Sequence, residues 1–430
     1  MLRRKMLCCV SFVLAMTASL ALHGANPKSA ATDWPQFRGP QRTDNSPDKN
    51  LLTQWPDSGP PLAWTAKGLG KGFSSISIVG DKIFTMGDEK DSSFVFAVSR
   101  ADGKPIWSAS VGKPGGNYEG TRCTPTVDED RVYGLGQFGD LLCVEAGTGK
   151  ELWRKSLPKD FGGRAGGWNY TESPFVDGDK LLCTPGGKDS TMVALDKHTG
   201  EVIWRGVVPG GDTAGYSSIV ISEAGGIRQY VQLMAGGLAG FAAADGKFLW
   251  RYGEGGDRLG GNTANIPTPI VQGEYVFTST GYGRGGGLIK LVAADGGIKV
   301  EEIYFKGDLK NRHGGVVMVG DYVYGDQDDR GLPFCAEWKT GEVKWKKDKR
   351  TEASGSADIT YADGHLYILY ANGVVSLVEA SPKEYKEISF FKIEGPHPQA
   401  CWAHPVVIGG RLYVRDQDNL WCWDVTRREG

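Results

Sequence analysis

The sequence carries almost no excess of charge: 49 Lys and Arg stand against 51 Asp and Glu, a net of −2. Neither that value nor the more negative one left after loss of a basic leader supplies the strongly basic face of a nucleic-acid binder, so no nucleic-acid partner is expected. After residue 25 no apolar run is long enough to cross a bilayer, which excludes an integral span beyond the leader. Cysteine is sparse there too: Cys123, Cys143, Cys183, Cys335, Cys401 and Cys422 include no adjacent pair and no C-x-x-C. That excludes c-type haem attachment, and no clustering of Cys with His at ligand spacing is seen, so no zinc site is expected. No G-x-S-x-G and no phosphate loop ending in Gly-Lys-Ser/Thr occurs. Glycine lacks a three-residue period, which rules out collagen.

The first 25 residues have the three-part layout of a secretory signal peptide. Arg3, Arg4 and Lys5 precede the apolar run Met6 to Leu22, and the small residues Gly24 and Ala25 follow. Cys8 and Cys9 lie at the start of that run, whereas a lipidation cysteine follows it. The expected product begins near Asn26, unlipidated, in the periplasm or outside the cell. An oxidising compartment permits disulfides, but Cys143, Cys335 and Cys422 occupy equivalent places in different repeats, which favours buried thiols over bridges.

What is abundant is glycine, 63 of 430 residues, about twice usual usage, together with 13 Trp, 16 Tyr and 16 Phe. Turn-rich and aromatic-rich composition over this length reads as all-β. A repeat organises it. Thr124-Pro-Thr-Val-Asp-Glu-Asp-Arg-Val-Tyr133 matches Ser173-Pro-Phe-Val-Asp-Gly-Asp-Lys-Leu-Leu182, and Thr268–Phe277 and His404–Tyr413 follow the same pattern. Each is an apolar strand, a polar turn and a second apolar strand. A later phrase ends each unit with a turn and an aromatic, as in Ala194-Leu-Asp-Lys-His-Thr-Gly-Glu-Val-Ile-Trp204.

The closing aromatics Trp64, Trp107, Trp153, Trp204, Trp250, Tyr304, Trp345 and Phe391 are spaced 43, 46, 51, 46, 54, 41 and 46 residues apart. That length suits a four-stranded antiparallel sheet, which must stack on neighbours to bury both faces. Seven units are complete; the eighth, near 400–425, lacks its last strand, and Pro61-Leu-Ala-Trp64 is a last strand without a unit before it. Joining them closes a ring and removes the open edges. The expected organisation is therefore a signal peptide at 1–25, an irregular segment at 26–60 wrapping the ring and held by Trp34, Phe37 and Trp55, one eight-bladed propeller at 61–425, and a tail at 426–430.

On these repeats the chain resembles the pyrroloquinoline-quinone-like repeat β-propellers, the fold of quinoprotein alcohol dehydrogenases. It is most similar to the non-enzymatic branch that includes the outer-membrane assembly factor BamB. Trp34-Pro-Gln-Phe-Arg-Gly-Pro40 also resembles the opening of secreted propellers common in planctomycetes. The BamB resemblance implies an extracytoplasmic scaffold that binds proteins of the cell envelope and associates peripherally with a membrane complex. The dehydrogenase resemblance implies a central quinone beside calcium or a lanthanide, with a catalytic Asp and often an adjacent Cys-Cys pair. Here the only such pair, Cys8-Cys9, is in the leader, so no cofactor is assigned.

Aligning the units on their strand-initial positions puts Arg122, Tyr170, Tyr216, Asn265, His313, Asp358 and Trp402 near one mouth of the ring, with Arg312 and His404 beside them. The glycine-rich loops 115–120 and 162–168 add Tyr118, Arg164 and Trp168. Aromatic and Arg side chains concentrate binding energy at interfaces. The expected binding set is Arg122, Arg164, Trp168, Tyr170, Asn265, Arg312, His313, Trp402 and His404, facing a protein or peptide. No catalytic or metal-binding residue is assigned: His313 and His404 lack a nucleophile, Glu172 and Asp358 are carboxylates of unknown separation, and Asp326–Arg330 lacks the spacing of a calcium loop. Gly281–Gly287 reads as a surface loop. The alternatives are a quinone-dependent periplasmic dehydrogenase and a glycan-binding or glycan-processing propeller.

Overall fold

The computed structural model describes residues 32–428 apart from Gly314 and Pro396. The signal peptide expected at 1–25, the processing point near Asn26 and the last two residues of the tail lie outside the described residues. The described chain forms eight four-stranded antiparallel sheets, the blades of a propeller. Seven are continuous in sequence, at 77–112, 126–156, 175–206, 220–252, 270–306, 317–346 and 357–392. In the eighth, Val406–Ile408, Arg411–Asp416 and Asn419–Asp424 are joined by Leu62–Lys67, which pairs antiparallel with Asn419–Asp424.

The burial along each blade explains its composition. The two middle strands lie between neighbouring sheets and are covered on both faces: every residue of Gln229–Met234 and Gly237–Ala242 is buried. Outer strands such as Pro105–Gly112 alternate between exposed and covered positions, as a half-solvated strand should.

The repeated Gly and the repeated aromatic serve one contact. The glycines of the last turn, Gly103, Gly149, Gly200, Gly246 and Gly341, all have φ between +63° and +74°. A Cβ on them would strike, in order, Trp64, Trp107, Trp153, Trp204 and Tyr304, the closing aromatics of the preceding blades. Only glycine both adopts this left-handed turn and lets the ring approach. For Trp107 and Trp153 the polar edge is also satisfied on the same turn, Trp107 Nε1 donating to Ala146 O at 3.1 Å and Trp153 Nε1 to Lys197 O at 3.1 Å. Each such burial contributes about 2–3 kcal/mol. At the closing seam Gly59 does the same for Phe391, which a Cβ there would meet at 2.7 Å.

Residues 33–51 run across the axis of the ring. Trp34 exchanges backbone hydrogen bonds with Ile78 in the first blade, and Pro35 O accepts from Val127 N in the second. The Arg42 guanidinium donates to Ser173 O at 3.1 Å and Ile219 O at 3.2 Å, in the third and fourth blades. Arg38 Nη2 reaches Val316 O at 2.6 Å in the sixth, Asp44 O accepts from Tyr361 N in the seventh, and Asp48 Oδ2 accepts from Gly410 N in the eighth. Trp34 and Trp55 are buried, whereas Phe37 faces the central cavity. The six cysteines of the described chain are buried and unbridged.

Candidate functional site

The strand-initial hydroxyls build the inner wall of the ring. Ser75 N donates to Thr124 Oγ1 at 3.1 Å, Thr124 N to Ser173 Oγ at 3.0 Å, Ser173 N to Ser218 Oγ at 3.0 Å, and Ser218 N to Thr268 Oγ1 at 3.2 Å. Each of the first four blades is thus fixed to the next at the radius of the channel. Above this ring lies a cavity of about 480 Å³. Its floor is the crossing segment, through Phe37 and Arg38, so the channel is a cup open at one mouth.

The cup is aromatic and cationic. Trp402 carries His313 stacked on it at 4.3 Å and 21°, Phe73 at 5.0 Å and Tyr118 at 5.6 Å. Trp168 packs on Tyr216 at 5.2 Å and meets Tyr282 at 6.1 Å. Gly166 permits the first contact, because a Cβ there would collide with the Tyr216 hydroxyl, which accepts from Trp168 N at 3.2 Å. Arg122 donates to Gly120 O at 3.0 Å and Tyr118 O at 2.7 Å, pinning its loop. Burial lowers its pKa to about 10, and it stays charged at neutral pH. Arg312 pairs with Asp329 and lies over the Tyr282 ring at 5.1 Å. On the floor Arg38 Nε contacts Asp44 Oδ2 at 2.8 Å, and His404 Nδ1 contacts the same oxygen at 3.0 Å. Burial and the neighbouring Arg312 and His404 push His313 down to about 3, so it is neutral.

Of the nine residues expected at the mouth, Arg122, Trp168, Arg312, His313, Trp402 and His404 line the cup. Tyr170 is buried, with its hydroxyl donated to Pro185 O at 2.9 Å. Asn265 is buried as well; its amide donates to Met234 O at 2.8 Å and Leu259 O at 3.0 Å, and its oxygen accepts from Thr280 at 2.7 Å. Their neighbours Thr171 and Ile266 line the cavity instead, as expected where successive side chains face opposite ways. Arg164 is exposed and outside the lining; its backbone bonds Pro185 and Ala214. Phe37, Arg38 and Tyr282 join the site without having been in the expected set. The aromatic in a glycine-rich loop was the available signal for Tyr282.

No Asp or Glu is among the lining residues. Glu172 is buried away from the cup, accepts from Thr184 N and Gln232 Nε2, and is pushed up to about 7 by burial. Asp358 is buried and also outside the lining. Asp326, Asp328 and Asp329 have separate tasks rather than a shared ion. Asp326 accepts from Leu332 N at 2.6 Å, Asp328 from Tyr282 N and Gly283 N at 2.7 Å each, and Asp329 pairs with Arg312. A quinone with its calcium or lanthanide needs oxygen ligands for the cation and an open ring face for the quinone. The lining provides no carboxylate, and Trp402 is already packed against the His313 and Phe73 rings. It does not fit that cofactor pair. Among the described residues one group of metal-ligating type does converge, His397, Cys401 and Asp416, beside the cup.

Tetrathionate hydrolase of Acidithiobacillus ferrooxidans is 22% identical over 342 residues, 76% of this chain and 54% of that protein. Outer membrane protein assembly factor BamB of Kangiella koreensis is 28% identical over 193 residues, 42% of each chain. The chain thus spans about half the length of the curated relatives it matches. Among solved structures, quinohemoprotein alcohol dehydrogenase from Comamonas testosteroni superposes with a TM-score of 0.66 at 13% identity, over 94% of this chain and 82% of that one, a likeness of fold. The family model described as outer membrane protein assembly factor BamB matches residues 72–347. That is more than half of the chain, which therefore belongs to this BamB family of quinone-like repeat propellers.

Proposed function

We propose that the protein is a non-catalytic binding or scaffold protein of the cell envelope, periplasmic or secreted, that receives a protein or peptide partner in the cup. The observation that carries this reading is the lining itself: four large rings, Tyr118, Trp168, Tyr282 and Trp402, surround Arg122 and Arg312, with no carboxylate among them. Rings and guanidinium groups at a concave mouth are the side chains that anchor partners, and the volume suits a peptide tip. Arg122 is held only by carbonyls in its bonds to the loop, so the cup favours a segment carrying an acidic group. BamB relatives, named for outer membrane protein assembly, support a partner in an envelope complex and a peripheral association with it. Among the described residues no helix is long and apolar enough to cross a membrane.

Capture from envelope extracts tests the reading. The unaltered protein is expected to retain a reproducible partner that the Trp168→Ala, Arg122→Ala double variant releases by tenfold or more, about 1.4 kcal/mol or above. The same preparation, mixed with pyrroloquinoline quinone and Ca²⁺ and freed of excess, is expected to show no bound quinone and no dye-linked alcohol oxidation. Stoichiometric quinone with turnover would overturn the proposal.

A further inference from the structure

His397 and Cys401 stand four residues apart on the strap between strands Glu387–Lys392 and Val406–Ile408, and Asp416 ends strand Arg411–Asp416. His397 Nδ1 lies 2.7 Å from Asp416 Oδ2 and 3.5 Å from Cys401 Sγ, and the three ligand atoms all lie within 4.8 Å of one another. Cys401 and Asp416 are almost wholly buried, and the His397 side chain is 10% exposed. The other ring nitrogen, Nε2, lies 3.2 Å from Ile393 O. A carbonyl can only accept, so Nε2 carries a proton; Nδ1, facing the carboxylate, donates a second one to Asp416, and a cation seated between them would displace that proton to solvent. Nitrogen, sulfur and carboxylate oxygen thus lie together around one point, where a cation would take the place of that proton. Asp416 Oδ1 is buried without a hydrogen-bond partner.

We propose that His397, Cys401 and Asp416 form a zinc site that pins one wall of the cup. The carbonyl on Nε2 is the usual outer partner of a metal-bound imidazole, fixing which nitrogen faces the ion. Room for the ring depends on Gly373, where a Cβ would lie 2.4 Å from His397 Nε2. A mixed nitrogen, sulfur and oxygen set selects zinc over calcium or magnesium, which take oxygen alone. Bonds of about 2.0–2.3 Å place tetrahedral ligands about 3.3–3.8 Å apart, so on binding the Asp416 oxygen moves about half an ångström away from His397 Nδ1 and about an ångström toward Cys401 Sγ. Cys401 releases its proton as the sulfur–zinc bond forms, and water takes the fourth position. The residues between and beside the ligands, Pro398, Gln399, Ala400 and Trp402, line the cup. The ion therefore orders the wall that carries Trp402. Only this consequence rests on the proposed function; the site stands on its own ligands.

The test uses the full chain, stripped with a chelator and titrated with Zn²⁺ and then Co²⁺. One equivalent of zinc is expected to bind and raise the unfolding midpoint, and Co²⁺ is expected to give a thiolate-to-cobalt charge-transfer band. Cys401→Ser should abolish that band while keeping the far-ultraviolet spectrum, and Asp416→Asn should weaken zinc by tenfold or more. His397→Gln serves if the serine variant does not fold. Trp168→Ala should keep full zinc binding, which separates failure of this site from failure of the cup. Absence of stoichiometric metal, or a charge-transfer band that survives Cys401→Ser or, where that variant is unfolded, His397→Gln, would overturn the proposal and leave His397 and Asp416 as an ion pair.

Discussion

His313 shows how much a single position does for the cup. It is packed on Trp402, flanked by Arg312, and pushed down to about 3 from an unfolded value near 6.5. Between those values the unfolded chain binds the proton and the folded chain does not, so stability is full above about pH 6.5 and falls as pH drops toward 3. Glu172, pushed up to about 7, acts in the opposite sense: the folded chain keeps its proton, and stability falls as pH rises from about 4.5 to 7. The two partly cancel, so the informative quantity is a difference between variants. Relative to His313→Asn, the native protein should lose on the order of 3 kcal/mol between pH 7 and pH 4 in urea unfolding. Parallel profiles for the two proteins would show that His313 is not held neutral. At this scale the sequence was legible to within one residue for Tyr170 and Asn265, but not for Arg164, which lies outside the lining with both its neighbours. Tyr170 and Asn265 turn inward while Thr171 and Ile266 face the cavity, because a strand gives neighbouring residues opposite faces and repeat alignment does not fix which face is which.

At the scale of elements, the blade was readable because one contact, a turn glycine under the preceding aromatic, recurs around the ring. The crossing segment was not readable in the same way. Its hold on the ring comes from single polar groups, Arg38 on Val316 O and Arg42 on Ser173 O and Ile219 O, which leave no period in the sequence. The seam beside it is tightened by Arg415, buried in the eighth blade, which donates to Ser74 O at 3.1 Å and Leu69 O at 3.0 Å. Removing residues 26–70 would strip Leu62–Lys67 from Asn419–Asp424 and expose that edge. The loss is expected to approach the whole stability of a domain, about 5–15 kcal/mol, and to appear as insoluble or non-cooperatively unfolding protein. A soluble truncation with an unchanged melting profile would show that ring closure does not depend on this strand.

Over the whole molecule, the eight blades form a rigid wall, the crossing segment closes one end, and the loops place rings and cations at the other. Under the proposed function that division makes the mouth the surface on which partners would be chosen, since loops can vary there without disturbing the inter-blade contacts. The zinc site joins the two parts by tying a mouth strap to the eighth blade. Tyr118 and Tyr282, 54% and 49% exposed, stand at the rim, whereas Lys247 is exposed on an outer turn. The most direct measurement is photo-cross-linking in the native envelope, with a benzophenone side chain placed in turn at Tyr118, Tyr282 and Lys247. One and the same protein adduct is expected from both rim positions, absent from Lys247 and lost when Arg122→Ala is added. Adducts from Lys247 alone, or none from either rim position, would contradict a partner seated in the cup.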